Sequence, residues 1–155
     1  MSDDCISLKF PVSQIQENRG LSVSLSIPAA TLFTDGVKDT RHDGNIAAAL
    51  DFSIAGSQIL LQARLGGGWI VQCSRCLKEH SAQYETDFDE TYPISEDIID
   101  ASADLRENAL LEIPQRSLCS PDCKIPWGED GREPGQPEAP PTKSPFDALK
   151  KLKEN

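Results

Sequence analysis

A two-residue hydrophobic alternation recurs from Ile6 to Tyr92, and it constrains the fold more than any other feature of the 155-residue chain. Successive side chains on a strand point to opposite faces, so alternation of this kind marks strands with one buried and one wet face. Ile6, Leu8, Phe10 and Val12 form the first such run, and Leu21, Val23, Leu25 and Ile27, separated by serines, form the second. Ile46, Ala48, Leu50, Phe52 and Ile54 lead to Gly56-Ser57, a hairpin signal, from which Ile59, Leu61, Ala63 and Leu65 return. Gly66-Gly67-Gly68 is expected to break that strand as a flexible turn. It lacks the Lys-Ser/Thr of a phosphate-binding loop. Trp69 to Gln72 starts the next strand, and Ala82, Tyr84, Thr86, Phe88, Glu90 and Tyr92 share a face of its partner.

Short strands joined by tight turns predict an α+β, β-dominated fold: an antiparallel meander forming a sandwich or open barrel with one or two short helices. One helix is expected after the meander. Asp104 is placed as its cap with Glu107 three residues on, Leu105, Ala109 and Ile113 share its face, and Pro114 stops it.

Composition changes abruptly beyond this point. Residues 1–84 carry 7 basic and 8 acidic side chains, residues 85–142 carry 4 and 15, and residues 143–155 carry 4 and 2. Eight of the eleven prolines fall between Pro114 and Pro145. Residues 128–142 contain no large apolar side chain that would offset the entropy of ordering them. The expected organisation is a single β-rich domain over 1–127, a disordered acidic, proline-rich linker over 128–143, and a C-terminal amphipathic helix over 144–155. In that helix Ser144 caps, Pro145 occupies the first position, Phe146, Leu149 and Leu152 share a face, and Lys150 and Lys151 lie near the end.

A net charge of −10 excludes non-specific binding of the phosphate backbone by the whole surface, because that mode requires a cationic footprint. The longest apolar runs fall far short of the ~20 residues that span a bilayer, so no membrane segment is expected. Met1-Ser2-Asp3-Asp4-Cys5 does not read as a secretory signal. The chain is therefore expected in the cytoplasm, where cysteines serve as free thiols or metal ligands.

Four of the five cysteines form two pairs, Cys73/Cys76 and Cys119/Cys123, at C-x2-C and C-x3-C spacing with 42 residues between them. A C-x-x-C at a hairpin bend turns two sulfurs to one point, half of a tetrahedral zinc site, and the second pair can complete it. Zinc held by Cys73, Cys76, Cys119 and Cys123 stands beside a reading of two unrelated thiol pairs. A third reading makes Cys73 and Cys76 a redox dithiol, although the flanks resemble strands rather than the helix N-terminus that activates such motifs. Neither His42 nor His80 sits in a catalytic motif, and no catalytic set emerges.

Three blocks in order resemble the YceD-like family, the large ribosomal RNA subunit accumulation proteins. Val71-Gln72-Cys73-Ser74-Arg75-Cys76-Leu77 is similar to the family's C-x-R-C-L signature, residues 104–114 (DLRENALLEIP) to its acidic, proline-stopped helix, and residues 144–153 (SPFDALKKLK) to its C-terminal tail. The resemblance implies a non-enzymatic ribosome biogenesis factor that supports accumulation of large-subunit (23S) ribosomal RNA. The chain departs from members that carry further cysteines after the second pair, since Cys123 is followed by Lys124-Ile125-Pro126-Trp127-Gly128.

Two routes reconcile such a role with the charge. Arg64, Arg75, Lys78 and His80 can form a local basic spot against pre-ribosomal RNA, or the acidic half can hold a basic ribosomal protein by charge complementarity. In both, Phe146, Leu149, Leu152, Lys150 and Lys151 are candidate contacts. The alternative is a cytosolic thiol-redox protein using Cys73 and Cys76.

Overall fold

A computed structural model describes residues 6–125, of which residues 6–123 belong to one compact unit that ends at Cys123. The linker over 128–143, the tail over 144–155 and Cys5 lie outside the described residues.

The elements in order are β1 (Lys9–Pro11), α1 (Val12–Glu17), β2 (Leu21–Pro28), α2 (Ala29–Leu32), β3 (Arg41–His42), β4 (Asn45–Ala55), β5 (Gln58–Gln72), β6 (Glu79–Pro93), β7 (Ile98–Asp100) and α3 (Ser102–Leu111). All strand pairings are antiparallel. The fold is α+β and strand-dominated, as expected, and its main sheet does not close into a barrel. β5 is the spine of that sheet. β6 pairs with it along its full length, while its other edge is shared by β4, opposite Gln58 to Gly66, and β3, opposite Trp69 and Ile70. β2 pairs with β4, and β1 and β7 form a separate two-stranded sheet.

β3 and β4 are in effect one strand with a bulge. His42 opposes Trp69 and Ala47 opposes Gly66, so four residues on one side face two on the other. Gly44, at φ +72, accommodates the kink, and the Asp43 amide donates to the Gly68 carbonyl at 2.7 Å. The expected hairpin turn is present: Ala55 opposes Gln58, and Gly56 takes φ +63 at the position where a II′ turn needs it.

One face of the main sheet is dry. Ile46, Leu50, Phe52, Ile59, Leu61, Leu65 and Trp69 are buried there, with Val12 and Ile15 of α1, Leu32 of α2, and Leu105 and Ala109 of α3 in the same core. The rings of Phe10 and Phe52 meet at 4.8 Å between centroids, and the Trp69 indole N–H donates to the Ala109 carbonyl at 3.1 Å.

Three local expectations are corrected. Gly66-Gly67-Gly68 does not break the strand, because β5 runs through it. A Cβ on Gly67 would lie 2.6 Å from His42 Nε2 and 3.2 Å from the Tyr84 hydroxyl, so the glycine makes room for side chains lying across the strand. Val12 does not continue the first strand but starts α1, whose i, i+3 pair Val12 and Ile15 is buried. α1 stops where Arg19 and Gly20 take positive φ and the Gly20 amide donates to the Ile15 carbonyl at 2.9 Å. Finally, α3 begins two residues before Asp104. Asp100 accepts from the Ser102 amide at 3.0 Å, while Asp104 accepts from the Tyr92 hydroxyl.

Candidate metal centre

β5 ends at Gln72, which opposes Glu79 at the start of β6, so residues 73–78 are the loop of a long hairpin. The loop folds back on itself: the Cys73 amide donates to the Lys78 carbonyl at 2.9 Å and the Leu77 amide to the Cys73 carbonyl at 3.0 Å. Closing it places Leu77 at φ +60, which an L-residue with a Cβ adopts at some cost. The bend turns the sulfurs of Cys73 and Cys76 toward the loop that follows α3.

Hydrogen bonds hold that second loop against the first. The Ser74 amide donates to the Ser117 carbonyl at 2.8 Å, the Ser117 amide returns to Ser74 Oγ at 3.3 Å, and Arg75 Nη1 donates to the Cys123 carbonyl at 2.6 Å. His80 Nε2 lies 2.6 Å from Ser117 Oγ.

The four cysteines converge. Cys73 and Cys123 are 3.6 Å apart at sulfur, Cys76 and Cys119 are also 3.6 Å apart, and all four sulfurs lie within 4.8 Å of one another. Tetrahedral thiolate ligation at about 2.3 Å places sulfurs about 3.8 Å apart, so two edges of the tetrahedron are already at that length and the others need a contraction of about 1 Å at most. Cys73 and Cys123 are buried, Cys76 is half-buried and Cys119 is exposed. Both of these 3.6 Å contacts cross from one loop to the other, Cys73 with Cys123 and Cys76 with Cys119.

The electrostatics suit a cation. Backbone amides of Cys76, Cys119 and Arg75 pull the Cys73 thiol down to about 5, so one thiolate is readily available. The neighbouring Cys119 sulfur and burial push Cys123 up to about 12. Four negative sulfurs cannot share so small a volume unaided, and a divalent ion at the centre removes that opposition. The cluster can hold a metal ion.

The remaining site residues are spread out. Arg75 is occupied by the Cys123 carbonyl and Lys78 is exposed at the end of the hairpin loop. Arg64 lies nine residues before Cys73 on β5, about 30 Å away at about 3.3 Å per residue. Its Nε stands 3.9 Å from Glu85 and 3.7 Å from Asp87, on the wet face of the sheet. The structure therefore gathers Arg75, Lys78 and His80 around the cysteines and leaves Arg64 among acids. Phe146, Leu149, Lys150, Lys151 and Leu152 lie outside the described residues.

Residues 89–153 match the family model of the large ribosomal RNA subunit accumulation protein YceD. The match takes in α3, Cys119, Cys123 and the tail block, while the Cys73/Cys76 hairpin precedes it. The resemblance to this family is thereby shown over that span. No curated protein and no solved structure matches the chain. No helix among the described residues is long and apolar enough to cross a membrane.

Sequence reasoning named the four ligand candidates but missed Ser74, Ser117 and the His42–Tyr84 pair. His42 Nδ1 stands 3.1 Å from the Gly44 carbonyl and Nε2 3.0 Å from the Tyr84 hydroxyl, against Phe33 and Trp69. Burial lowers the His42 pKa and pushes Tyr84 up to about 12. The only sequence sign of this cluster was the triple glycine that makes space for it.

Proposed function

We propose that the chain is a non-enzymatic, cytoplasmic ribosome biogenesis factor that supports accumulation of 23S ribosomal RNA, with zinc as a structural ion on Cys73, Cys76, Cys119 and Cys123. The match of residues 89–153 to the YceD family model carries this reading. An all-thiolate, four-ligand set favours zinc over hard cations, which prefer oxygen.

The partner we favour is a basic ribosomal protein, with pre-ribosomal RNA as the second candidate. Glu85, Asp87 and Asp89 occupy alternate, exposed positions of β6, a strand with no lysine or arginine, and Arg64 offsets only part of that charge. Arg75 and Lys78 supply fewer charges near the cysteines. The thiol-redox alternative loses support, because Cys73 and Cys76 lie in the loop of the β5–β6 hairpin and not at the helix N-terminus that activates such motifs.

Capture of the tagged chain from cells, with identification of the RNA and protein that accompany it, tests the reading. Large-subunit precursors and a basic ribosomal protein should be enriched, and the enrichment should fall when Glu85, Asp87 and Asp89 are changed to the corresponding amides. Capture that brings down no large-subunit component would overturn it.

A further inference from the structure

His80 stands outside the four sulfurs, yet its surroundings tie it to them. It is the second residue of β6, opposite Val71, and Nε2 sits 2.6 Å from Ser117 Oγ on the loop that carries Cys119. Nδ1 is buried with no hydrogen-bond partner. A buried N–H with no acceptor is more costly than a bare lone pair, so the hydrogen belongs on Nε2 and is donated to Ser117. Ser117 in turn exchanges two hydrogen bonds with Ser74, which lies between Cys73 and Cys76.

We propose that His80 is the positioning residue of the cysteine cluster: through Ser117 it seats the Cys119 loop on the Cys73–Cys76 hairpin, assembling the four sulfurs before a metal arrives. Histidine suits this place because its ring reaches across from β6 while the strand keeps its register with β5. The orphaned Nδ1 is the cost of using a ring there, since a residue serving only to fill the core would bring no unpaired nitrogen with it. Groups bonded directly to a metal's ligands typically change affinity by about 10–100-fold when removed, and His80, which bonds Ser117 rather than a cysteine, is one step further out. The inference rests on the metal-binding reading for its affinity arm and on the apo loop contacts for the other.

The test uses the full chain carrying Cys5→Ser, reduced and metal-free, in which two quantities are measured for His80→Ala, His80→Gln and Ser117→Ala. The first is the rate at which the cluster thiols react with Ellman's reagent, and the second is the affinity for Co2+ followed through its thiolate charge-transfer and d–d bands. His80→Ala and Ser117→Ala should each raise the thiol reaction rate several-fold and weaken Co2+ binding by up to about 10-fold, the lower end of the range for groups bonded directly to ligands. His80→Gln, whose side-chain amide can still donate to Ser117, should recover most of both. Unchanged thiol rates in His80→Ala, or a His80→Gln as impaired as the alanine variant, would overturn the proposal. Failure of the parent chain to bind Co2+ would remove the metal reading alone, and the thiol rates would still decide the role of His80.

Discussion

At Gly67 the absence of a side chain is itself a structural requirement. The space above its Cα is taken by the His42 ring and the Tyr84 hydroxyl, so Gly67→Ala must displace one of them. The expected cost is about 1–3 kcal/mol in urea unfolding, the usual range for overpacking. A change below about 0.5 kcal/mol, the range of ordinary surface substitutions, would show that the His42 cluster yields freely. His42 itself gives a pH signature. Burial lowers its folded pKa below the ordinary 6.5, so the unfolded chain takes up its proton first. The contribution is fully present above about pH 6.5 and is lost as pH falls through the folded value. Unfolding free energy measured from pH 7.5 to 5 should therefore drop more steeply for the parent than for His42→Gln, and parallel curves would refute the assignment.

Among the elements, β2, β4, β5 and β6 were legible because period two continues wherever one face stays dry. Their neighbours were harder to read for physical reasons. Val12 extends the alternation of Leu8 and Phe10, and only Pro11 and the Arg19-Gly20 stop reveal that the chain has turned into α1. β3 and β7 are only two and three residues long, too short to show a period. The apolar face of α3 was read correctly from Leu105 and Ala109, although its start was not. Leu105 is fully buried whereas Leu111 is 79% exposed. Leu105→Ala should cost about 2–5 kcal/mol, and Leu111→Ala should stay within about 0.5 kcal/mol. Equal effects in denaturant titrations would mean that α3 is seated differently. The cysteine spacing likewise picked out the four thiols but could not show their convergence, because the bonds of Ser74, Ser117 and Arg75 that bring the loops together join residues more than forty positions apart.

Over the whole molecule, the hydrophobic core and the cysteine cluster are separate parts of the fold. The buried cluster under α1, α2 and α3 is built from hydrocarbon side chains of the sheet and helices, with the cysteines at one end of the β5–β6 hairpin. Removing a bound ion with a chelator should lower the melting temperature, as loss of any ligand specific to the folded state does, while strand circular dichroism at 25 °C persists. Complete unfolding on chelation would show that the hydrophobic core cannot stand alone.

The contact between Cys76 and Cys119 also closes a ring in the chain. The 42 residues between them contain β6, β7 and α3, so a metal at that point pins both ends of a segment that otherwise forms a long excursion from the spine. In a newly made chain the β4–β5 hairpin can form from neighbours in sequence, but the ring cannot close until Cys119 has been synthesised. The excursion is then the last part to be secured and the first to be released. Amide exchange should show that ordering directly: on chelation, protons of α3 and β7 should exchange faster, while those shared by β4 and β5 keep their protection.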